Sequence, residues 1–241
     1  MQPLRLLSVH AHPDDEASKG AATVAKYVSE GIDVMIATCT GGERGDVLNP
    51  KLKNEEVKEK LAEIRKKEMA KSIEILGAKH TWLGFIDSGY PEGDPKPALP
   101  EGCFADISIE EAAKPLIKLI REFKPQVVIT YDENGGYPHP DHIRTHEITM
   151  FAYEHSGRRN DFPELGEPWQ IYKVYYQKGF NFSQMMAIDN AFKELEKTNP
   201  YAEWMVDMED DSDLITTKID CAKYFEKRDE ALKADRKSTR L

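Results

Sequence analysis

A chain of 241 residues is long enough to bury a full core without disulfide staples. With 40% hydrophobic and 32% charged residues its composition is that of a globular protein, which excludes wholesale disorder. A net charge of −10 argues against nucleic acid as a partner, and no apolar run approaches the ~20 residues of a membrane span.

Leu4–Val9 reads as a short buried strand, and Asp14–Glu30 as a helix that Gly31 stops. Asp33–Thr40 is a second strand. Glu55–Leu76 has the apolar stripe of one long helix, ended by Gly77. His80–Phe85 is a third strand, and Asp87–Pro100 a Pro- and Gly-rich surface loop. Ile109–Phe123 is helical, with Pro115 as its expected true start. Gln126–Tyr131 is a fourth strand, His142–His155 a helix and Ile171–Tyr176 a fifth strand. The acidic run Asp207–Asp213 reads as a solvated loop. Alternating strands and helices predict an α/β fold with a mostly parallel sheet and crossover helices. Three scattered cysteines (Cys39, Cys103, Cys221) and no secretory leader pattern fit a reducing, cytoplasmic setting.

Two segments concentrate chemistry. His10-Ala-His12-Pro-Asp14-Asp15-Glu16 follows the first strand, and Asn134–His142, containing Tyr137, His139, Asp141 and His142, follows the fourth. In the common strand order 3-2-1-4-5 these loops face each other at the carboxyl ends of neighbouring strands, where open α/β sheets bind ligands. His12, Asp15 and His142 supply two imidazoles and one carboxylate, the three-ligand set of a catalytic zinc; ferrous iron accepts the same set. Asp14 is then placed to take a proton from water. His139 is placed to donate to an oxyanion and to a leaving amine, and Asp141 to orient a histidine, His139 above all. A turn or a helix cap is the plainer reading of a lone His-Pro-Asp, and Asp14 and Asp15 could both serve as caps. His10, His80, His146 and His155 lack such context and read as structural.

Ala11–Glu16 and Pro138–His142 resemble the signature segments of the LmbE-like (PIG-L) zinc-dependent N-acetylglucosamine deacetylases. Thr40–Gly45, Thr81–Gly89, Thr130–Tyr137, Glu167–Trp169 and Lys223–Phe225 are similar to the amidases of the mycothiol branch. The likeness runs from about Leu4 to Leu232. It implies a Rossmann-like fold of one domain over residues 1–241, with helices on both faces of the sheet. It also implies a catalytic Zn2+ and hydrolysis of an amide on glucosamine. It implies His12, Asp15 and His142 as ligands, Asp14 as base, His139 with Asp141 as acid, and Tyr137 as a carbonyl-holding tyrosine. Glu43, Arg65 and Asp87 fall where the family meets sugar and inositol hydroxyls. Lys19 matches the amidase branch, where the deacetylases of the mycothiol precursor carry a small polar residue. The expected substrate is a small-molecule thiol–sugar conjugate. The alternatives are an N-acetylglucosaminyl-inositol deacetylase and a non-catalytic metal- or sugar-binding protein. The end, Ala234–Leu241, departs from the family pattern and reads as a truncation. Oligomeric state is not readable from the sequence.

Overall fold

A computed structural model describes residues 3–179, 181–206 and 208–237. In chain order it contains β1 (Arg5–His10), α1 (Asp15–Ser18), α2 (Ala21–Ser29), β2 (Asp33–Thr40), α3 (Glu55–Glu59), α4 (Leu61–Leu76) and β3 (Lys79–Phe85). These are followed by α5 (Ile109–Phe123), β4 (Val127–Thr130), α6 (Pro140–His155), β5 (Lys173–Tyr176), α7 (Phe182–Glu194) and α8 (Phe225–Ala234). The five strands form one sheet in the order β3-β2-β1-β4-β5, and every pairing is parallel.

Alternation along the strands sorts the core into two layers. Leu7, Val9, Ala37, Cys39 and Val128 pack against Ala112, Leu116, Ile117 and Ile120 of α5 and Ile148 and Ala152 of α6. Leu6, Val34 and Ile36 face the other way, onto Ala17 of α1, Ala21, Val24 and Ala25 of α2, Leu76 of α4 and Ala231 of α8. Helices therefore cover both faces, and the crossover direction reverses between β1 and β4. The switch point lies between the loops that follow those strands.

Three expected elements differ. The helix expected over Asp14–Glu30 is broken at Lys19-Gly20, where Gly20 takes φ 94° and a Cβ would strike Gln177 Nε2. The long helix from Glu55 is interrupted at Lys60. By contrast, α5 runs unbroken through Pro115. Ser108 Oγ caps it at the Glu111 amide, and its buried apolar face outweighs one missing backbone bond.

The chain forms two compact units, Met1–Gln177 with Cys221–Leu241, and Lys178–Asp220. The smaller unit holds α7, which the sequence reading did not anticipate, opened by a capping box of Asn181 and Gln184. Asp207 lies outside the described residues. Asp211, from the same acidic run, is more than a solvated loop residue: it accepts from Phe182 N–H at 3.0 Å and pairs with Lys178 at 2.9 Å. In the expected tail, residues 238–241 lie outside the described residues. The three cysteines are free thiols. No helix among the described residues is long and apolar enough to cross a membrane.

Candidate active site

The loop after β1 and the first turn of α6 bring His12, Asp15 and His142 together. Asp15 opens α1 and is fully buried. Its Oδ2 accepts from His12 N–H at 2.9 Å and from Tyr131 Oη–H at 2.7 Å; its Oδ1 pairs with the Lys19 ammonium. His142 Nδ1 meets the Gly135 carbonyl at 2.9 Å, which places the proton on Nδ1. Nε2 is then a lone pair, buried with no hydrogen-bond partner, 3.4 Å from Asp15 Oδ2. His12 Nε2 lies 3.1 Å from Asp141 Oδ2, so it donates there and leaves Nδ1 directed to Asp15 at 3.7 Å.

Two sets of side chains could hold a metal ion, His12–Asp15–His142 and His12–Asp87–His139–Asp141, each with donor atoms within 4.8 Å of one another. In the second set one imidazole nitrogen and three carboxylate oxygens are engaged, while Asp141 Oδ1 is buried without a hydrogen-bond partner. His139 Nδ1 accepts from Asp141 N–H at 3.1 Å, so a neutral ring carries its proton on Nε2. Asp141 Oδ2 also takes Ser88 N–H at 3.0 Å, while Asp87 takes Gly89 N–H at 2.8 Å and Arg44 N–H at 3.0 Å. In the first set each imidazole is oriented by a hydrogen bond at one nitrogen and turns the other toward the Asp15 carboxylate, which also meets Lys19, Tyr131 and the His12 amide. Two imidazoles and a carboxylate could hold a divalent ion.

Burial lowers His142 to about 3 against the pull of Asp15, so its ring is neutral at neutral pH. Burial works against an Asp15 carboxylate, but Lys19, His142 and His12 outweigh it and hold the group well below the ordinary range. His12 is also opposed by burial, yet hydrogen bonds to Asp141 and Asp87 and the charge of Asp15 hold it up at about 10. A field that keeps a proton on His12 favours any cation at the same place.

Asp14 occupies the N-cap position of α1, but its side chain makes no capping bond. Its backbone is left-handed at φ 98°, a conformation that costs a non-glycine residue about 1–3 kcal/mol. Its Oδ2 receives Arg65 Nη2 at 2.8 Å and lies 3.7 Å from Lys237 Nζ. Burial pushes its carboxyl above the ordinary range, Arg65 opposes the shift and Asp15 adds to it. The side chain is still 27% exposed, so it can meet a water.

The other expected residues fall as follows. His139 is the N-cap of α6 and 7% exposed, its ring 4.6 Å from that of His12. The expected pairing of the Asp141 carboxylate with the His139 ring is corrected: the carboxylate orients His12, and only the Asp141 backbone amide meets His139. Asp141 Oδ2 is taken by His12 and by the Ser88 amide. Tyr137 is 45% exposed and stands edge-on to His142 at 4.5 Å. Lys19 Nζ lies 5.9 Å from the rings of both Tyr131 and Tyr137. Asp87 Oδ1 is 3.7 Å from His12 Nε2, and Glu43 Oε2 accepts from Asp87 N–H at 3.2 Å. Arg65, expected at substrate hydroxyls, is 2% exposed and donates to the Pro13 carbonyl and to Asp14.

The remaining histidines have structural partners: His10 Nε2 meets Ser8 Oγ at 2.8 Å, His80 Nε2 meets Thr38 Oγ1 at 3.0 Å, His146 Nδ1 meets the Tyr131 carbonyl at 3.0 Å and His155 Nδ1 meets Asp161 at 2.6 Å. Sequence reasoning missed Tyr131, which accepts Ala11 N–H at 2.9 Å, donates to Asp15 and stacks on His142 at 4.3 Å. Its place one residue past a strand beside the switch point was the available signal. Lys237 was missed for want of any local pattern, and Glu16, though inside the first singled-out segment, was given no role of its own.

A family model described as PIG-L, GlcNAc-PI de-N-acetylase, matches residues 7–153. The mycothiol S-conjugate amidase of Streptomyces coelicolor is 54% identical over 235 residues, covering 95% of this chain and 80% of that one. A 1D-myo-inositol 2-acetamido-2-deoxy-alpha-D-glucopyranoside deacetylase of Catenulispora acidiphila is 41% identical over 95% of this chain and 74% of its own. Among solved structures, the N,N'-diacetylchitobiose deacetylase of Pyrococcus horikoshii is similar with a TM-score of 0.68 at 20% identity, covering 99% of this chain and 72% of that one. The hydratase GalB of Pseudomonas putida is similar at 0.63 and 19%, covering 96% and 78%. The two structural likenesses show the fold alone. The family match and the identities show more: this chain belongs to the PIG-L family of de-N-acetylases and related amide hydrolases.

Proposed function

We propose that the chain is a zinc-dependent amidase that hydrolyses mycothiol S-conjugates, releasing a mercapturic acid and glucosaminyl-inositol. The observation that carries this reading is the 54% identity to the Streptomyces amidase across nearly the whole chain. The donor set of His12, Asp15 and His142 supports a metal, and zinc or ferrous iron fits it. Bound there, such an ion would polarise the amide carbonyl and lower the pKa of a water.

The chain's own residues do the rest. Asp14, raised in pKa and partly open to solvent, takes the proton from the attacking water. Arg65 holds the carboxylate while it does so. His139 donates from Nε2 to the carbonyl oxygen as charge develops there, and Tyr137 adds a phenol, kept neutral by burial and the surrounding carboxylates. The departing glucosamine nitrogen receives its proton from Asp14, which carries the one it took from water. Glu43 and Asp87 meet sugar hydroxyls, and Lys19 the acyl side of the substrate. A cytoplasmic enzyme acting on a small molecule is the setting.

The alternative is deacetylation of N-acetylglucosaminyl-inositol, favoured by the 41% identical relative. A paired assay of zinc-loaded protein on a mycothiol S-conjugate and on N-acetylglucosaminyl-inositol, scored by released amine, separates them. We expect kcat/KM at least tenfold higher for the conjugate. Preference for the acetyl sugar would transfer the chain to the deacetylases, and no turnover of either would remove the hydrolase reading.

A further inference from the structure

Asp14 is the one non-glycine residue in the loops after β1 and β4 with a left-handed backbone, at φ 98°. Such a conformation persists only where the surroundings enforce it. The Asp14 amide is held by Glu16, whose Oε2 accepts Asp14 N–H at 2.9 Å. Glu16 is 2% exposed, so it is not a solvent-facing acid merely complementing the helix dipole. In a full capping box the N-cap side chain and a Glu at the third helical position cap each other. Here one half exists, made from the second helical position. The other half is absent, because the Asp14 carboxylate makes no cap bond and instead meets Arg65 at 2.8 Å.

We propose that Glu16 is a positioning residue for the reaction: by accepting the Asp14 amide it fixes the left-handed turn, and so the direction in which Asp14 presents its carboxylate. This rests on the reading of Asp14 as the base. Without the acceptor, the Asp14 N–H must find another partner. The residue can then relax toward negative φ, which swings its Cα–Cβ bond away from the cleft. The neighbouring Asp15 is held independently, by Tyr131, Lys19 and the His12 amide, so the effect falls on Asp14 alone.

Glu16→Met keeps the volume and removes the acceptor; Glu16→Gln keeps an acceptor oxygen. The test is kcat and KM for the mycothiol S-conjugate, bound zinc by metal analysis, and a crystal structure of the Met variant. The expected result is a 10- to 100-fold loss of kcat in Glu16→Met, with KM within threefold and zinc content unchanged. Glu16→Gln should keep at least a third of wild-type kcat. A Met variant with kcat within twofold of wild type would overturn the proposal, as would a Gln variant no better than Met. If the Met variant does not fold, a more than tenfold loss in Glu16→Gln overturns it. Wild-type activity judges the amidase reading separately. Were wild type inactive, the crystal structure would decide: an Asp14 carboxylate displaced by more than 1 Å supports the proposal, and a superposable one overturns it.

Discussion

At the residue scale the site is sorted by where protons sit. His12 and His142 each give one nitrogen to a fixed oxygen, Asp141 Oδ2 and the Gly135 carbonyl, and turn the other toward Asp15. His139 accepts through Nδ1 and is left with a donor. The same residue type thus presents a different nitrogen to the site at each position, set by its hydrogen-bond partners. Tyr131, at the start of the loop after β4, ties that loop to the one after β1, where it reaches Ala11 and Asp15, while its ring stacks on His142. Tyr131→Phe keeps the stacking but strands the buried Ala11 amide and removes one of the two donors to Asp15 Oδ2. We expect a stability loss of about 1–3 kcal/mol and metal affinity lowered about 10- to 100-fold. Urea unfolding and chelator competition measure the two. Metal affinity unchanged in the variant would show that Tyr131 holds the fold and not the ligand.

At the scale of elements, the loop from β4 to α6 depends on a backbone approach. Gly135 takes φ 73°, and a Cβ there would lie 2.6 Å from His142 Cβ and 2.9 Å from the Tyr137 carbonyl oxygen. Gly136 has nearly the same φ, 72°, but open space around it. Gly136→Ala should therefore cost only backbone strain, about 1–2 kcal/mol, whereas Gly135→Ala must also shift α6 and its ligand. Equal thermal stability and equal bound metal in the two variants would disprove the close packing. This loop also shows what the sequence made legible. The strands, both loops and the His/Asp clusters follow from periodicity and from the rule that ligands gather past strand ends, whereas the strand order was assumed as the common one, because periodicity does not say which strands neighbour. Asp14's freedom from capping was not legible, because Asp at a helix start is a cap by every local rule. Nor was the Arg65 contact, since Asp14 and Arg65 are brought together only when α4 packs under the loop. Pro115 misled for the converse reason: tertiary burial of α5 overrides a local breaker.

At the scale of the molecule, a shared fold does not set the chemistry, since a hydratase has a similar sheet and helices at 19% identity. What the whole fold sets is the condition under which the site survives, and buried neutral histidines make that condition a pH. His80 on the edge strand β3 lies far along the sheet from the switch point, and burial lowers it to about 4. An unfolded histidine titrates near ~6.5. Between these values the unfolded chain binds a proton that the folded chain refuses, so stability is full above pH ~6.5 and falls as the pH drops toward 4. For this one residue the loss between pH 7 and pH 5 is about 2 kcal/mol. His10, also lowered to about 4 by burial, acts with the same sign, so wild type should lose more than the amount due to His80. His80→Gln retains a partner for Thr38 Oγ1, at 3.0 Å in the native pair, and removes the titration. The expected result is a variant whose urea-unfolding free energy falls by about 2 kcal/mol less than wild type's between the two pH values. Parallel losses in both proteins would mean that His80 takes up its proton in the folded state, and that the edge of the sheet is wetter than its burial implies.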